Sequence, residues 1–317
     1  MVRIIDEPAL RRAITPAIAV DVIRDAFRAD GEGRTRVPPV INLDVPAHRG
    51  EFHIKTAYID GVSTIAIKIA SGFPDNTVRG LPSGSGLMAV FDATTGLPLA
   101  LLLDNGFLTD IRTAAAGAVA ADVLARKRID VVGIIGSGVQ ARHQIHCLRV
   151  VRDFHRVIAW SPTRERLERY CDELRAEGYD APAAASIEEV CAAADVLVTT
   201  TPSRSPLVQA AWLRAGMHVT AVGSDAPGKR ELDSECLRRA DLVVVDRLAQ
   251  GAEFGEVSYV RDSLDDGRVV ELGTLVAGKK VGRTSDDQIT IADLTGVGFQ
   301  DTAIAAAAIA ARKSVTR

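Results

Sequence analysis

The chain of 317 residues predicts an α/β fold with a doubly wound parallel sheet, joined to an antiparallel α+β segment. Three observations carry this. Between Asp130 and Asp246, short apolar runs alternate with helix-compatible segments, the βαβ succession of a parallel sheet. The first run, Val131–Ile135, meets Gly136-x-Gly138-x-x-Ala141, the Rossmann dinucleotide fingerprint in its alanine-ended form. Ahead of it, apolar strands joined by tight turns read as hairpins.

The totals fit this reading. The length suits two domains. Hydrophobic residues are 47% and charged residues 25%, an ordinary globular balance, and a net charge of −3 advertises neither nucleic acid nor an anionic membrane as partner. No run approaches the ~20 apolar residues of a membrane span. The start, MVRIIDEPALRR, lacks an apolar stretch with a cleavage site, so no signal peptide is expected. Cys147, Cys171, Cys191 and Cys236 show no C-x-x-C spacing and read as reduced thiols of a cytoplasmic protein.

Along the chain, Thr15-Pro16 is a cap followed by proline at the first helical position, and the helix runs to Asp30-Gly31. Arg36-Val-Pro-Pro39 is a stiff extended segment with one cation. Phe52–Ile59 and Thr64–Ala70 read as strands, each with a lysine among apolar residues. Lys55 is either an edge lysine reaching solvent or a ligand group. Lys68 is harder to place in solvent, because Ile65, Ile67 and Ile69 occupy the other face. A buried lysine needs an anion, and a substrate carboxylate would serve. Residues 71–85 read as a loop, followed by a hairpin of Leu87–Asp92 and Leu97–Leu103. Thr109 is expected to cap an alanine-rich helix from Asp110 to Ala125. This places Arg112 and Thr113 in the first turn, where a cation opposes the helix dipole. Arg112 is therefore either ligand-facing or held in an ion pair.

From Asp130 the expected order is strand Val131–Ile135, helix 139–151, strand Arg156–Trp160, helix 165–177, a short strand Ala181–Ala185, a helix capped by Ser186-x-x-Glu189, and strands Asp195–Thr201, His218–Gly223 and Leu242–Asp246. A late strand, Gln288–Asp293, precedes the Thr295–Gly298 turn and a last alanine-rich helix from Phe299 to Arg312. In the fingerprint Gly136 permits the tight turn, Gly138 lets a pyrophosphate approach the backbone, and Ala141 allows close helix packing. Thr200, Thr201, Gly223, Ser224 and Asp225 fall at carboxyl ends of strands, where such sheets bind ligands. The second strand ends Trp160-Ser161-Pro162-Thr163-Arg164 without the carboxylate that would hold NAD ribose. Ser161, Thr163 and Arg164 suit a 2′-phosphate, which favours NADP(H) over NAD(H). The other reading is that Arg164 only begins the charged face of the next helix. Arg142 and His143 could add positive charge near phosphate. No metal site is expected: His143-x-x-His146 lacks the rest of a ligand pattern, and Asp265-Asp266 and Asp286-Asp287 read as turn caps.

Several blocks together resemble the ornithine cyclodeaminase/μ-crystallin family. They are Arg36-Val-Pro, Lys68 with Gly72-Phe-Pro-Asp-Asn76, Thr94–Gly96, Leu108-Thr-Asp-Ile-Arg112-Thr113-Ala-Ala115, Gly136-Ser-Gly138-x-Gln140, Val222-Gly-Ser-Asp225-x-Pro-Gly-Lys229-x-Glu231-Leu232 and Ile291-x-Asp293-x-Thr295-Gly-Val-Gly298. The resemblance implies a substrate-binding and dimerisation domain, residues 1–120 with 299–317, and a Rossmann domain, 121–298. It also implies a homodimer acting on a small imino or amino acid with NAD(P). By the same resemblance Arg36, Lys68 and Arg112 would grip the substrate carboxylate, and Asp225 would be the acid/base at nitrogen. Thr113, Gly136, Gly138, Val139 and Gln140 would hold the pyrophosphate, with Arg112 and Val297 also at the cofactor. Cyclodeaminases of the family carry a glutamate thirteen residues before the lysine, where this chain has Lys55. Two like charges ~4 Å apart at an effective dielectric of ~20 cost about 4 kcal/mol, so Lys55 disfavours ornithine and favours a second carboxylate. The expected activity is NAD(P)H-dependent reduction of an α-imino acid such as Δ1-pyrroline-2-carboxylate or iminosuccinate. Cyclodeamination and non-catalytic ligand binding are the alternatives.

Overall fold

The structure, a computed structural model, describes residues 2–263 and 267–313, so the expected turn at Asp265-Asp266 lies outside the described residues. The chain divides into two compact units, one up to residue 112 and again from 297, the other 113–296. The divisions thus fall at 112/113 and 296/297, not at 120/121 and 298/299.

In the first unit β1 (Arg3–Asp6) leads into α1 (Glu7–Ala13), capped by Asp6 Oδ1, which accepts from the Ala9 amide at 3.0 Å. Neither is expected from the sequence. The start of α2 (Pro16–Gly31) is, with Thr15 Oγ1 accepting from the Ile18 amide. Strands β2 (Thr35–Arg36), β3 (Ile41–Val45), β4 (Gly50–Ile59), β5 (Thr64–Gly72), β6 (Gly84–Asp92) and β7 (Pro98–Leu103) follow. The sheet order is β1-β7-β6-β5-β4-β2, with β3 also on β4; only β1 and β7 pair in parallel. The expected 71–85 loop is shorter than the sequence suggests, because β5 and β6 continue through Ser71↔Ser85 and Gly72↔Gly84. Glycines carry no side chain to reveal a period of two.

Helix α3 (Phe107–Leu124) also starts before its expected cap. Asp104 Oδ2 accepts from the Leu108 amide at 2.8 Å, and Thr109 lies inside the helix. Arg112 is therefore in the second turn, where the dipole objection no longer applies.

Alternation splits the first sheet into two faces. Register places Ala57, Ala66, Val90 and Ala100 in one row, and all four are buried. The other face carries Ile4, Leu101, Ala89 and Ile67 in one row and Ile41, Ile54, Ile69 and Leu87 in the next. Ile4 is 68% and Ile41 60% exposed, so this second face is apolar and open.

The second unit continues α3 and adds β8 (Val131–Ile135), α4 (Val139–Val151), β9 (Arg156–Trp160), α5 (Arg164–Ala176), α6 (Ile187–Ala193), β10 (Val196–Thr199), β11 (His218–Ala221), α7 (Ser234–Arg239), β12 (Leu242–Val245), α8 (Leu248–Gly251), β13 (Val269–Glu271), α9 (Leu272–Val276) and β14 (Thr290–Asp293). Every pair in its sheet is parallel, in the order β13-β12-β14-β11-β10-β8-β9. Both faces are covered. Val132, Ile134, Val157 and Ala159 pack on one side, and Ile135, Ile158, Leu197 and Val219 on the other. This explains the unbroken apolar runs. The expected strand at Ala181–Ala185 is a single bridge, Ala183 to Ala159. β13 and α9 were hidden in weakly patterned sequence.

α10 (Gly298–Lys313) belongs to the first unit and packs on α2, β4 and β5. Phe299 meets Phe27 edge-on at 5.2 Å. A Cβ on Gly298 would lie 2.1 Å from Thr56 O, so only glycine permits this approach. Thr302 Oγ1 donates to Ala57 O and accepts from the Ala66 amide, fixing α10 across β4 and β5.

Candidate active site

In the first unit the face of β4 and β5 that α10 covers also carries both lysines. Lys55 stands directly opposite Lys68, one row from the Ala57–Ala66 pair, so the two ammonium stems share that face. They are 7% and 3% exposed. The parity argument for Lys68 is met, since Ile65, Ile67 and Ile69 lie on the open face; Lys55 is no edge lysine.

Arg112 is buried too. Its Nε donates to Asp301 Oδ1 at 2.9 Å and its Nη1 to Gln300 Oε1 at 2.8 Å. Lys68 Nζ lies 3.5 Å from Asp301 Oδ2. One fully buried carboxylate thus faces two cations. Gln300 is fully buried as well, and its Nε2 donor has no hydrogen-bond partner among the described residues. A buried unmet donor beside a guanidinium suits an acceptor supplied from outside the chain. Of the two readings of Arg112, the ion pair is therefore present. Arg36 does not join this group by register. It pairs with Tyr58, which has the parity opposite to Lys55, and its guanidinium donates to Thr35 O at 3.0 Å and Gly33 O at 3.4 Å.

In the second unit β8 sits between β9 and β10, the point where the strand order reverses and where such sheets form a ligand crevice. Gly136 lies at this point with φ +116°, and a Cβ there would meet Thr200 Oγ1 at 2.4 Å. Gly138 is the N-cap of α4, has no side-chain cap bond, and has no atom within 4 Å of where a Cβ would stand. Open space over a glycine backbone, at a helix start with amides of Val139 and Gln140 to offer, fits a dinucleotide pyrophosphate. Thr113 O accepts weakly from Gln144 Nε2 at 3.5 Å, and Val297, the first residue of the other unit's second segment, is buried.

At the end of β9, Ser161 Oγ accepts from Ser137 Oγ at 3.0 Å, Thr163 is the N-cap of α5, and Arg164 pairs with Glu168 one turn on. Arg142 turns back to Ser137 O and Gly138 O and pairs with Glu173, so its charge is spent on the loop rather than offered to phosphate. His146 pairs with Glu177.

The carboxyl ends of β10 and β11 are tied by Glu231. Its Oε2 accepts from Thr199 Oγ1 and the Gly223 amide, and its Oε1 from the amide and hydroxyl of Thr201, all at 2.6–2.8 Å. Its own amide donates to Glu256 Oε1. Asp293 Oδ2 accepts from the Val257 amide at 2.8 Å. Burial, reinforced by the neighbouring Asp293, pushes Glu256 up to about 8; burial pushes Asp293 up to about 7 and also raises Glu231. Ser224 Oγ donates to Lys229 O, and Asp225 Oδ1 pairs with Lys229 Nζ at 2.7 Å while its side chain stays 47% exposed. A cavity of about 280 Å³ opens beside this loop, lined by Lys229, Phe254 and Tyr259 among others.

Sequence reasoning missed Gln300, Asp301 and Glu256. Gln300 and Asp301 follow a glycine turn and lie in an alanine-rich helix, where two adjacent polar residues among apolar ones were the available signal.

A profile of the ornithine cyclodeaminase/mu-crystallin family matches residues 10–314. The chain belongs to that family. One family relative, the uncharacterized cyclodeaminase y4tK of Sinorhizobium fredii, is 45% identical over 309 residues, covering 96% of this chain and 93% of that one. An archaeal alanine dehydrogenase dimer with bound NAD has a TM-score of 0.92 at 34% identity, covering 100% of this chain and 97% of the other. The Δ1-pyrroline-2-carboxylate reductase of Thermococcus litoralis, in complex with NADH and L-proline, has a TM-score of 0.94 at 30% identity, covering 100% and 98%. Family membership accounts for the shared architecture of both units.

Proposed function

We propose that this family member is an NAD(P)H-dependent reductase of a small α-imino acid, yielding the L-amino acid and running in reverse as an amino-acid dehydrogenase. The observation that carries the reading is the buried group of Lys68, Arg112 and Gln300 around Asp301, with a donor of Gln300 still unmet. Such a group suits a carboxylate, and a carboxylate next to C=N is what an α-imino acid offers. The alanine dehydrogenase and pyrroline-carboxylate reductase likenesses point to the same substrate class.

In this reading Lys68 and Arg112 hold the substrate carboxylate and fix the orientation of the imine carbon. A nicotinamide dinucleotide, its pyrophosphate held at the Gly136–Gln140 turn, would supply the hydride that carbon receives. Asp225, paired with Lys229, protonates the imine nitrogen or stabilises the iminium that forms there. Glu231 keeps Thr201 and Gly223 in place at the cofactor side. NADPH is preferred, since Ser161, Thr163 and Arg164 stand where NAD would meet a carboxylate; a 2′-phosphate would compete with Glu168 for Arg164. The open apolar face around Ile4, Leu101 and Ile41 suits a second copy of the chain, in line with the alanine dehydrogenase dimer.

The test is isotopic. Deuterium carried at C4 of the reduced cofactor should appear at the α-carbon of the product amino acid. Asp225→Asn should lower turnover by about 10²–10⁴-fold and leave dinucleotide binding intact. An unlabelled product, or a variant with unchanged turnover, would sink the reading; a chain that only binds ligands would show neither effect.

A further inference from the structure

We infer that Glu256 is a positioning residue for Asp225, acting through Glu231 on the loop that carries Asp225; this rests on the reductase reading above. That loop, residues 223–231, is closed at its ends by one side chain. Glu231 Oε2 accepts from the Gly223 amide at 2.8 Å, eight residues back. A Cβ on Gly223 would stand 2.6 Å from the Glu231 carboxyl and 2.1 Å from Thr201 O, so the ends close only over glycine. Inside the loop, Ser224 Oγ donates to Lys229 O and Lys229 Nζ pairs with Asp225 Oδ1, both at 2.7 Å. The segment after α8 backs this loop. Glu256 Oε1 accepts from the Glu231 amide at 2.6 Å, and Tyr259 Oη donates to Lys229 O at 3.1 Å. The Arg230 guanidinium lies over the Tyr259 ring, 4.6 Å from its centroid. Tyr259 is 39% exposed and holds the loop at its rim, whereas Glu256 is fully buried and holds the residue that closes it.

The charge on Glu256 decides whether that hold lasts. Its titratable neighbours are acidic: Asp293 faces it from β14, Glu231 from the loop and the Cys236 thiol from α7, while Asp246 at the end of β12 faces Asp293. Of the loop's cations, Lys229 pairs with Asp225 and Arg230 is stacked on Tyr259. The turn before Glu256 presses on the same group. Gly255 has φ +67°, and a Cβ there would meet the two Asp293 oxygens at 2.6 and 2.9 Å. Glu256 Oε2 and Asp293 Oδ1 are buried and have no hydrogen-bond partner among the described residues. Two carboxylates so placed oppose each other's charge, and a proton on one supplies the donor that the pair lacks. Burial and the facing Asp293 favour that proton on Glu256, which is raised to about 8, against about 7 for Asp293. At neutral pH Glu256 is therefore an uncharged acid whose Oε1 accepts from the Glu231 amide. Once ionised, it adds a negative charge beside Glu231 and Asp293. The repulsion falls on Glu231, the residue that closes the loop, and Asp225 loses its fixed position.

The experiment takes the wild type, Glu256→Gln and Glu256→Ala through a pH series of kcat with NADPH, using whichever of a panel of α-imino acids is turned over fastest. Beside it, hydrogen exchange of the peptide spanning residues 222–232 is read by mass spectrometry and corrected for the intrinsic pH dependence of exchange. Glu256→Gln keeps an acceptor for the Glu231 amide and cannot ionise. It should retain turnover at neutral pH, and the ratio of its kcat to that of the wild type should rise about tenfold between about pH 7 and pH 9. Taking the ratio removes ionisations of the substrate and of Lys229 that both proteins share. The wild-type peptide should lose protection over the same range, and the Glu256→Gln peptide should keep it. Glu256→Ala should lower kcat at neutral pH by about tenfold or more. A ratio that stays flat with pH, with equal loss of protection in both proteins, would overturn this inference and leave the reductase reading intact. So would a folded Glu256→Ala with wild-type kcat. No turnover of any imine would count against the reductase reading, while the exchange of the loop peptide would still decide whether Glu256 holds the loop.

Discussion

The first unit buries cations, Lys55, Lys68 and Arg112, with Asp301 set between two of them. The second buries carboxylates, Glu231, Glu256 and Asp293, and meets them with backbone amides and threonine hydroxyls. The difference separates two uses of buried charge. Neutral donors can hold a carboxylate in place without any ligand, so the acidic group acts as a clamp on strand ends. In the proposed function, cations crowded on one shared carboxylate serve a substrate anion that comes and goes.

Removing a charge should therefore cost most where the balance is internal. Asp301→Ala leaves Lys68 and Arg112 facing each other without their shared carboxylate and should destabilise the protein by about 3–5 kcal/mol, read by chemical denaturation. A loss near zero would mean Asp301 is not the counter-charge. Glu231→Gln removes part of a four-donor clamp and should cost roughly 1–3 kcal/mol. It should also weaken dinucleotide binding, measured by titration calorimetry, since Thr201 and Gly223 lose their tie. A variant that weakens imine affinity and spares the dinucleotide would contradict the division of roles.

The acidic group also predicts a pH dependence of sign opposite to that of exposed, ion-paired carboxylates. Folding raises Glu256 to about 8 and Asp293 to about 7, so the folded chain keeps protons that the unfolded chain releases. That stabilisation is present in acid, near the ordinary carboxylate range, and is lost as pH rises toward 8. The unfolding midpoint should fall between about pH 5 and pH 8, and Glu256→Gln should flatten the slope. A rising midpoint over that window would show that Glu256 is ionised when folded. The smallest effect belongs to the exposed Arg164. Arg164→Ala should lower the preference for NADPH over NADH roughly tenfold, seen in KM for each.

Much of this was legible before the structure. The Gly136–Ala141 turn and the parallel strands are local, because one strand, one glycine turn and one helix write themselves in a single window of sequence. Lys68 was legible from parity, since isoleucines at alternate positions fixed its face. What escaped was long-range. The partner of Lys68 and Arg112 lies near the end of the chain, at Asp301, and no local pattern joins residues 68, 112 and 301. The pairing of Lys55 with Lys68 depends on hairpin register, which the spacing of the lysines alone does not give. The start of α3 was misread because Thr109 and Asp104 are both good caps, and the turn at Asn105 and Gly106 in positive-φ conformations decides for Asp104. β1, α1 and β13 are short and find their place through neighbours in the sheet rather than by their own pattern.

The most direct measurement of the central claim is the loss of reduced-nicotinamide absorbance with a panel of α-imino acids, with ornithine and NAD run beside it for ammonia release. Oxidation of NADPH or NADH that depends on an imine, with the L-amino acid as product, is the result expected of a reductase. Ammonia from ornithine with no net cofactor oxidation, and no imine consumed, would contradict the account and would mean that Lys55 admits an ammonium after all.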